Sequence, residues 1–411
     1  MNENTKYWIW LQQSIGYATS KVNAIRNFYH SVQDFYNGGE KEWWASGIFS
    51  LKELKSLYEN NLEEAESIID ECERLHYQII TIEDKEYPKN LKEIYDPPCV
   101  LYINGRLPDT DNILCIGVVG TRRATLSGKK AAYLISYDLA KAGVVIVSGG
   151  ALGIDSAAHN GVLEADGKTI CVLGCGINYQ YLAINSHLRY LISRNGAIIS
   201  EYPPDVAATK YSFPRRNRII SALSQGLLVV EAGEKSGALI TAEAAQSQNR
   251  DIFVVPGDIH NRLAYGTNQL LCQGAKPIVS ALDILEEYRY KYTLAEISVT
   301  NDVEDSVINS IPSIGEEKKR NQPSKPLKQN HNPPKQRVSS SPPIVPKEKL
   351  MSDFSQKGKE IYRMICEKPT TLEDIMNIGG VNPSEVMSTI TKLELLQLIE
   401  KDEAAGKYYA V

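Results

Sequence analysis

Between residues 112 and about 290, short apolar runs alternate with longer segments in which apolar residues recur at helical spacing. The runs are ILCIGVVG, VVIVSGG, TICVLGCG, AIISEY, GLLVVEA and DIFVVPG. Strands that are apolar almost throughout are typical of a parallel sheet covered by helices on both faces. The pattern predicts an α/β, Rossmann-like domain over residues 112–296, with a doubly wound, mostly parallel sheet.

Residues 1–75 show the spacing of amphipathic helices. Trp8, Leu11 and Ile15 fall on one helical face, and the stretch LKELKSLYENNLEEAESIIDECERL continues the pattern. We expect a helical N-terminal domain here. A connecting segment over residues 76–111, in which prolines interrupt short extended pieces, leads into the α/β region.

The composition changes after the α/β region. Residues 297–350 are rich in Pro, Lys, Asn, Gln and Ser and hold few large apolar residues, which predicts a flexible linker. Residues 351–411 show three helical stretches and then a hairpin, the order found in a winged-helix domain. Its third helix, with Asn382 as the N-cap and Pro383 at the first position, carries one basic residue, Lys392. Contact with duplex DNA and contact with a protein both stay open for this domain.

The net charge of −5 argues against a protein that binds polyanions over its whole surface, but the charge is segregated. Residues 1–100 hold 10 Lys and Arg against 17 Asp and Glu, a net charge of −7. Residues 112–290 hold 17 Lys and Arg against 14 Asp and Glu, a net charge of +3. The α/β region can therefore present a local basic patch to an anionic partner.

The sequence also disfavours several classes of protein and site. No run of about 18 apolar residues predicts a membrane span, and the start MNENTKYWIW lacks the pattern of a secretory signal. The seven cysteines are scattered without a CxxC motif, which indicates reduced and mostly buried thiols. We expect a cytoplasmic protein with no metal site and no cofactor.

Two glycine-containing loops follow predicted strands. The residues that stand there are Gly120, Thr121, Arg122 and Arg123 in the first loop, and Ser148, Gly149 and Gly150 in the second. Backbone N–H groups at the start of a helix, together with arginine side chains, suit phosphate oxygens. The spacing is not GxGxxG and the second strand does not end in an acid, so a dinucleotide site is disfavoured. The glycines could also serve only to close tight strand-to-helix turns.

The stretch KYSFPRRNRIIS is the most unusual part of the chain. Its candidate residues are Lys210, Phe213, Arg215, Arg216, Asn217 and Arg218. Cations at the start of a helix oppose its dipole, which is unfavourable unless an anion is bound nearby. Cations with an aromatic ring between them suit single-stranded nucleic acid, because the charges follow the backbone while the ring stacks on a base. The alternative is a solvated helix start in which Phe213 only packs.

Further loops at the same edge of the sheet add Lys235 and Ser236 in one and Asn268 in another. None of these loops contains a Ser-His-Asp arrangement or a His-x-x-His pair, so the sequence nominates no catalytic residue. Asp155 is interpreted as the cap of its helix, Glu243 as a residue on the face of a helix, and the isolated histidine His159 as structural.

The motifs VGTRR, SGGALGIDSAAH, TICVLGCGINYQY, FPRRNRIIS, VVEAGEKSGALITAEAA, VPGDI and GTNQLL occur in this order over roughly residues 110–280. Together they resemble the DNA-processing protein A family, also called Smf. The N-terminal helices (SAM-like or helix-hairpin-helix-like) and the C-terminal winged helix also stand where this family has them.

The resemblance implies a cytoplasmic bacterial protein that binds and protects incoming single-stranded DNA during natural transformation and helps to load the RecA recombinase. Members are implied to form a homodimer through the Rossmann-like core and are not established enzymes. Carried over by motif, the strand would contact Arg122, Lys210 and Phe213. The loop 148–150 and the run 215–218 would support these contacts.

Two other functions compete with strand binding. LOG-type phosphoribohydrolases cleave nucleoside monophosphates and share this Rossmann variant, but their PGGxGTxxE motif is broken here and only Glu243 could take the place of its acid. The other alternative is a dimeric adaptor that acts through its winged helix.

Overall fold

The computed structural model describes residues 2–180, 183–312, 356–367, 370–371, 374–375, 386, 389–390, 393, 399–402 and 407–410. The chain divides into two compact units, residues 1–324 and residues 325–411. Within the described residues, no helix is long and apolar enough to cross a membrane.

A nine-stranded sheet forms the centre of the first unit. Its strands are β1 (Gln78–Thr81), β2 (Val100–Gly105), β3 (Cys115–Val119), β4 (Val145–Ser148), β5 (Thr169–Leu173), β6 (Ala197–Ser200), β7 (Gly226–Val229), β8 (Asp251–Val254) and β9 (Lys276–Pro277). Their spatial order is β1-β2-β6-β5-β4-β3-β7-β8-β9. Neighbouring strands in the part β6-β5-β4-β3-β7-β8-β9 are all parallel, whereas β2 is antiparallel to both β1 and β6. This confirms the predicted Rossmann-like sheet.

Helices cover both faces of the sheet. In chain order they are α1 (Thr5–Ile15), α2 (Lys21–Phe28), α3 (Val32–Ala45), α4 (Leu51–Glu59), α5 (Leu62–Arg74), α6 (Lys89–Lys92), α7 (Leu126–Lys141), α8 (Ile154–Glu164), α9 (Ser186–Asn195), α10 (Ser212–Ala222), α11 (Gly237–Ser247), α12 (Tyr265–Cys272), α13 (Ala281–Tyr288) and α14 (Asp305–Ser310). Successive residues of a strand point to opposite faces, so Ile116 and Val118 of β3 pack with α7 and α8, while Val119 packs on the other face.

The five helices that precede the sheet do not have a separate hydrophobic core. Trp8 and Trp10 of α1 are fully buried, and they belong to the same cluster as Tyr102 of β2 and Ile199 of β6. The N-terminal helices therefore pack directly on one face of the sheet through apolar side chains.

A flexible linker is predicted from residue 297, but the chain remains packed to residue 312. Ile308 and Ile311 are almost fully buried in the cluster that α7 and α8 share. The Nζ of the buried Lys129 donates to the carbonyl of Ile311 at 2.9 Å, and the N–H of Gly153 donates to the carbonyl of Pro312 at 2.9 Å. Ile297 and Val303 also pack against this cluster, so a few apolar residues and two hydrogen bonds hold the segment on the core.

In the second unit, helix α15 (Gln356–Glu367) is followed by β10 (Thr370–Thr371), β11 (Ile399–Asp402) and β12 (Lys407–Ala410). These strands form an antiparallel sheet in the order β10-β12-β11. The antiparallel pair of β11 and β12 lies within the stretch for which a two-stranded wing is predicted. Asn382, Pro383 and Lys392 of the predicted third helix lie outside the described residues, as do residues 313–350 of the predicted linker.

Candidate nucleic-acid interface

A cleft of about 360 Å³ lies at the carboxyl edge of the parallel strands, where the loops after β3, β4, β6 and β7 meet. In an open α/β sheet this edge is where ligands bind. The residues nominated from the sequence that line the cleft are Gly120, Thr121, Arg122, Arg123, Phe213, Arg216, Asn217 and Ser236. Loops that are far apart in sequence thus converge on one concave surface.

Arg122 and Phe213 are in direct contact across this cleft. The guanidinium carbon of Arg122 lies 5.2 Å from the centre of the Phe213 ring, a cation–π distance. Both side chains are half-buried, so each keeps an accessible surface. The ring also packs beside Gly174, where a Cβ atom would come within 3.0 Å of it. The cleft therefore presents a positive charge and an aromatic ring side by side.

Arg216 has a different role from the one expected. It is buried, and its Nη1 donates to the carbonyl of Gly149 at 2.8 Å and to the carbonyl of Val172, while its Nε donates to Asn217 at 3.1 Å. A Cβ on Gly149 would lie only 2.5 Å from the guanidinium. Arg216 therefore forms the floor of the cleft and fixes the Gly149 loop, instead of offering a free fork to phosphate.

The Gly149 loop is held from below by Asp155. A carboxylate oxygen of Asp155 accepts from the N–H groups of Gly149, at 3.2 Å, and Ala151, at 3.4 Å. Asp155 thus braces the preceding loop, whereas the sequence analysis made it the cap of its own helix. Burial raises the pKa of Asp155, and the positive charge of Arg216 acts in the opposite direction. The N–H of Gly149 is consequently not available to an anion.

His159, one turn further along α8, is a structural residue. It is fully buried, and its Nδ1 lies 2.8 Å from the hydroxyl of Thr169. Burial, with the charge of Arg216 as the second cause, lowers the pKa of His159 to about 3. The imidazole is therefore neutral at pH 7.

Arg218 does not face the cleft. It is buried, and its guanidinium pairs with Glu201 at 2.7 Å and Asp96 at 3.0 Å. These pairs connect α10 to Glu201, directly after β6, and to Asp96, between α6 and β2. We therefore correct the predicted contact of Arg218 with DNA to a structural ion pair. Arg215 is exposed but does not line the cleft, and it lies beside Tyr202.

Lys210 and Lys235 are exposed and stand outside the lining of the cleft. The Nζ of Lys210 lies 5.0 Å from the ring centre of Tyr211, in the segment that leads into α10. Ser236 lines the cleft and caps α11, because its hydroxyl accepts from the N–H of Ala238 at 3.4 Å.

Three other nominated residues have structural roles. The hydroxyl of Ser148 donates to the carbonyl of Val118 at 2.6 Å inside the sheet. Gly150 adopts a φ of 63°, and a Cβ there would lie 2.5 Å from the sulfur of Cys171. Both polar ends of the Asn268 side chain bind the backbone of Gly257, at 3.0 and 3.3 Å. We correct the predicted DNA contacts of Ser148 and Asn268 accordingly.

Glu231 is a positioning residue that the sequence analysis missed. It follows β7, is buried, and its carboxylate accepts from the N–H of Thr125 at 2.8 Å and from the hydroxyl of Thr125 at 2.9 Å. Thr125 is the N-cap of α7, and the carbonyl of Glu231 accepts from the N–H of Thr121 at 2.7 Å. The same carboxylate accepts from Asn261 at 3.3 Å. Glu231 therefore fixes both ends of the segment that presents Arg122.

Among the described residues, no group of three or more His, Cys, Asp or Glu side chains could hold a metal ion. Five of the seven cysteines are buried, and Cys272 and Cys366 are exposed. Glu243, the candidate acid of the phosphoribohydrolase alternative, is exposed on α11 and does not line the cleft.

Comparison with known proteins adds a family relationship. The sequence model of the family described as DNA recombination-mediator protein A matches residues 78–289, which include the whole sheet and the cleft. The DNA processing protein DprA of Bacillus subtilis is 44% identical over 208 residues, which is 51% of this chain and 70% of that protein. The protein Smf of Synechocystis is 31% identical over 407 residues, which is 98% of both chains.

A solved structure shows the same relationship. DNA processing protein A from Streptococcus pneumoniae superposes with a TM-score of 0.60 and 32% sequence identity, covering 69% of this chain and 98% of that chain. The likeness therefore includes nearly all of the solved relative.

Proposed function

The chain belongs to the DNA recombination-mediator protein A family, and from this premise we propose that it binds single-stranded DNA in the cleft at the carboxyl edge of its sheet. The family supplies the role, which is DNA processing and mediation of recombination. The geometry of the cleft supplies the class of ligand.

The observation that carries the proposal is the contact between Arg122 and Phe213. A single strand offers a phosphate and an unpaired base with an exposed π-face in every nucleotide, and duplex DNA keeps its bases stacked inside. A cation beside an aromatic ring matches this repeating pair of groups without selecting a sequence. Arg123, at the exposed rim of the same cleft, adds a second charge for the backbone.

The buried polar residues act by holding this pair in place. Arg216 fixes the Gly149 loop on one side, and Glu231 fixes the segment 121–125 on the other. Preorganised contact groups lose less conformational entropy when the strand binds. The proposal thus assigns direct contact to Arg122, Arg123 and Phe213, and gives Lys210 the position of an outlying charge along the path of the strand.

Salt dependence of oligo-dT binding tests the proposal. Each phosphate contact contributes about −0.7 to the slope of log K against log salt for a single strand. Arg122→Ala should weaken binding and make the slope shallower by about one such step. Lys141→Ala removes an exposed cation from the far end of α7 and should leave affinity and slope unchanged. An unchanged slope for Arg122→Ala would refute the assignment.

We extend the proposal to the partners that the family implies, namely a second copy of the chain and the RecA recombinase. Exposed apolar side chains that follow β8 and the edge strand β9 in the chain support the homodimer. Val279, two residues after β9, is 87% exposed, and Ile259 and Tyr265, in the segment after β8, are 83% and 50% exposed. Large exposed apolar side chains at a sheet edge are typical of association surfaces. Loading of RecA onto the bound strand during natural transformation, in the cytoplasm, completes the proposed role.

No described residue favours the phosphoribohydrolase alternative. Its candidate acid, Glu243, is outside the cleft, and Asp155 is engaged with the backbone of the Gly149 loop. Release of free adenine from AMP by the purified protein would reinstate that function.

A further inference from the structure

A second concave surface lies at the opposite, amino edge of the parallel strands. It encloses about 830 Å³ and is lined by the segments 85–89, 106–113 and 194–196, together with Lys168. Five cations line it, namely Lys85, Lys89, Arg106, Lys168 and Arg194, against the three carboxylates Glu86, Asp109 and Asp111. We call it the amino-edge groove.

Three of the cations are brought to one place by close contacts of the backbone. Gly105 has a φ of 102°, and a Cβ there would lie 2.4 Å from the carbonyl oxygen of Gly196. The N–H of Arg106 donates to that same carbonyl at 2.8 Å. A Cβ on Gly196 would in turn lie 2.0 Å from the carbonyl oxygen of Thr169.

The register of the sheet explains this convergence. Gly105 at the end of β2 is opposite Ala197 at the start of β6, and Ala197 is also paired with Ile170 of β5. Because β2 runs antiparallel to β6, its carboxyl end meets the amino ends of β5 and β6. Arg106 directly follows β2, Lys168 directly precedes β5, and Arg194 lies near the end of α9, which leads into β6. The three side chains therefore lie at this edge of the sheet, and all three are exposed.

The carboxylates of the groove are largely engaged within it. Asp111 accepts from the N–H of Lys89 at 2.9 Å and pairs with its Nζ at 3.8 Å. Asp109 accepts from the N–H groups of Asp111 and Asn112, both at 3.2 Å, and from the Asn112 side chain at 2.8 Å. By contrast, Arg106, Lys168 and Arg194 form no ion pair with any described carboxylate.

We propose that the amino-edge groove is a second binding site for the phosphate backbone of a single-stranded nucleic acid, with Arg106, Lys168 and Arg194 as its contacts. The groove offers no exposed aromatic ring comparable to Phe213, so it holds phosphates without stacking bases. The strands between the two edges are about five residues long, which separates the sites by roughly 17 Å. One chain can thus hold two segments of strand on opposite edges of the same sheet.

This inference rests on the proposed function, and the number of oligonucleotides bound per chain tests the two separately. The probe is an oligo-dT of about five nucleotides, at the short end of single-strand site sizes, so that one molecule occupies one site. Native mass spectrometry at low ionic strength should show two oligonucleotides per chain for the unchanged protein. Arg106→Ala/Lys168→Ala/Arg194→Ala should bind one oligonucleotide, in the cleft. Arg122→Ala weakens the cleft site alone and should leave the oligonucleotide of the amino-edge groove in place.

The matched control is Lys41→Ala/Lys52→Ala/Arg289→Ala, which removes three exposed cations elsewhere and should still bind two. Arg106→Lys/Arg194→Lys should also bind two, because lysine keeps the positive charge that neutralises a phosphate. Two oligonucleotides on the groove variant, or one on the unchanged protein, would overturn the second site and leave the first intact. No oligonucleotide on any variant would overturn the proposed function itself.

Discussion

The nominated arginines fall into two groups that differ in environment although their chemistry is the same. Arg122 and Arg123 stand at the surface of the cleft, with Arg122 over the ring of Phe213. Arg216 and Arg218 of α10 are buried. Arg216 donates hydrogen bonds to backbone carbonyls, and Arg218 pairs with two carboxylates of the protein. The difference shows that cations close together in the sequence need not all contact a bound anion.

Removal of an arginine should also have a different effect in the two groups. A buried cation is costly to desolvate and is retained only with well-placed partners, so its removal acts on folding. A cation at the surface of a cleft keeps most of its hydration when the protein folds. Its removal therefore changes the affinity for DNA and the dependence of that affinity on salt. Each of the following measurements sets one group against the other.

The largest expected effect is on stability. Arg218→Ala leaves the buried carboxylate of Glu201 without its partner, and we expect a loss of about 3–5 kcal/mol in the free energy of unfolding. Arg215→Ala, three residues earlier on the exposed side of α10, should change it by no more than about 0.5 kcal/mol. Chemical denaturation measures both, and equal losses would remove the distinction between buried and exposed arginines of this helix.

The next effect is on binding alone. Phe213→Ala should weaken the binding of oligo-dT by roughly 1–3 kcal/mol, because it removes the ring on which a base stacks. Phe213→Leu keeps an apolar side chain beside Gly174 without the ring and should bind as weakly as the alanine variant. Fluorescence anisotropy gives the affinities, and wild-type affinity in the leucine variant would leave Phe213 as a packing residue.

A smaller effect appears as a dependence of stability on pH. His159 is neutral in the folded chain, with a pKa of about 3, and has a pKa near 6.5 when the chain is unfolded. The unfolded state therefore gains a proton below about pH 6.5, and folding loses about 2 kcal/mol between pH 7 and pH 5 from this residue. His159→Gln should lack this component in thermal melts over that range. An identical pH profile for both proteins would contradict the buried environment beside Arg216.

Much of the fold could be predicted because its signal is local. Continuous apolar runs such as VVIVSGG specify buried parallel strands, and the loops that follow them must meet at one edge of the sheet. On that basis the sequence predicts that Arg122, Phe213 and Ser236 lie at one edge, and all three line the cleft. It could not separate groups that contact a ligand from groups that hold the loops, since both stand at the ends of strands.

One signal for the separation was present in the sequence. Arg216 lies one helical turn before Ile219 and Ile220 and one turn after Ser212, so a helix from residue 212 places it on the buried face. No comparable signal marked Glu231 or the two buried isoleucines at 308 and 311. Their partners are distant in sequence, and only the folded chain brings these groups together.

Glu231 has a mechanical consequence for the DNA-binding edge. One carboxylate is the shared acceptor for Thr125, at the start of α7, and for Asn261, in the loop between β8 and α12. Any displacement of the 257–264 loop, which carries the exposed Ile259, therefore strains the same anchor that sets the position of Arg122. The 257–264 loop and the segment that presents Arg122 thus share one acceptor, so neither can shift without altering the hydrogen bonds of the other.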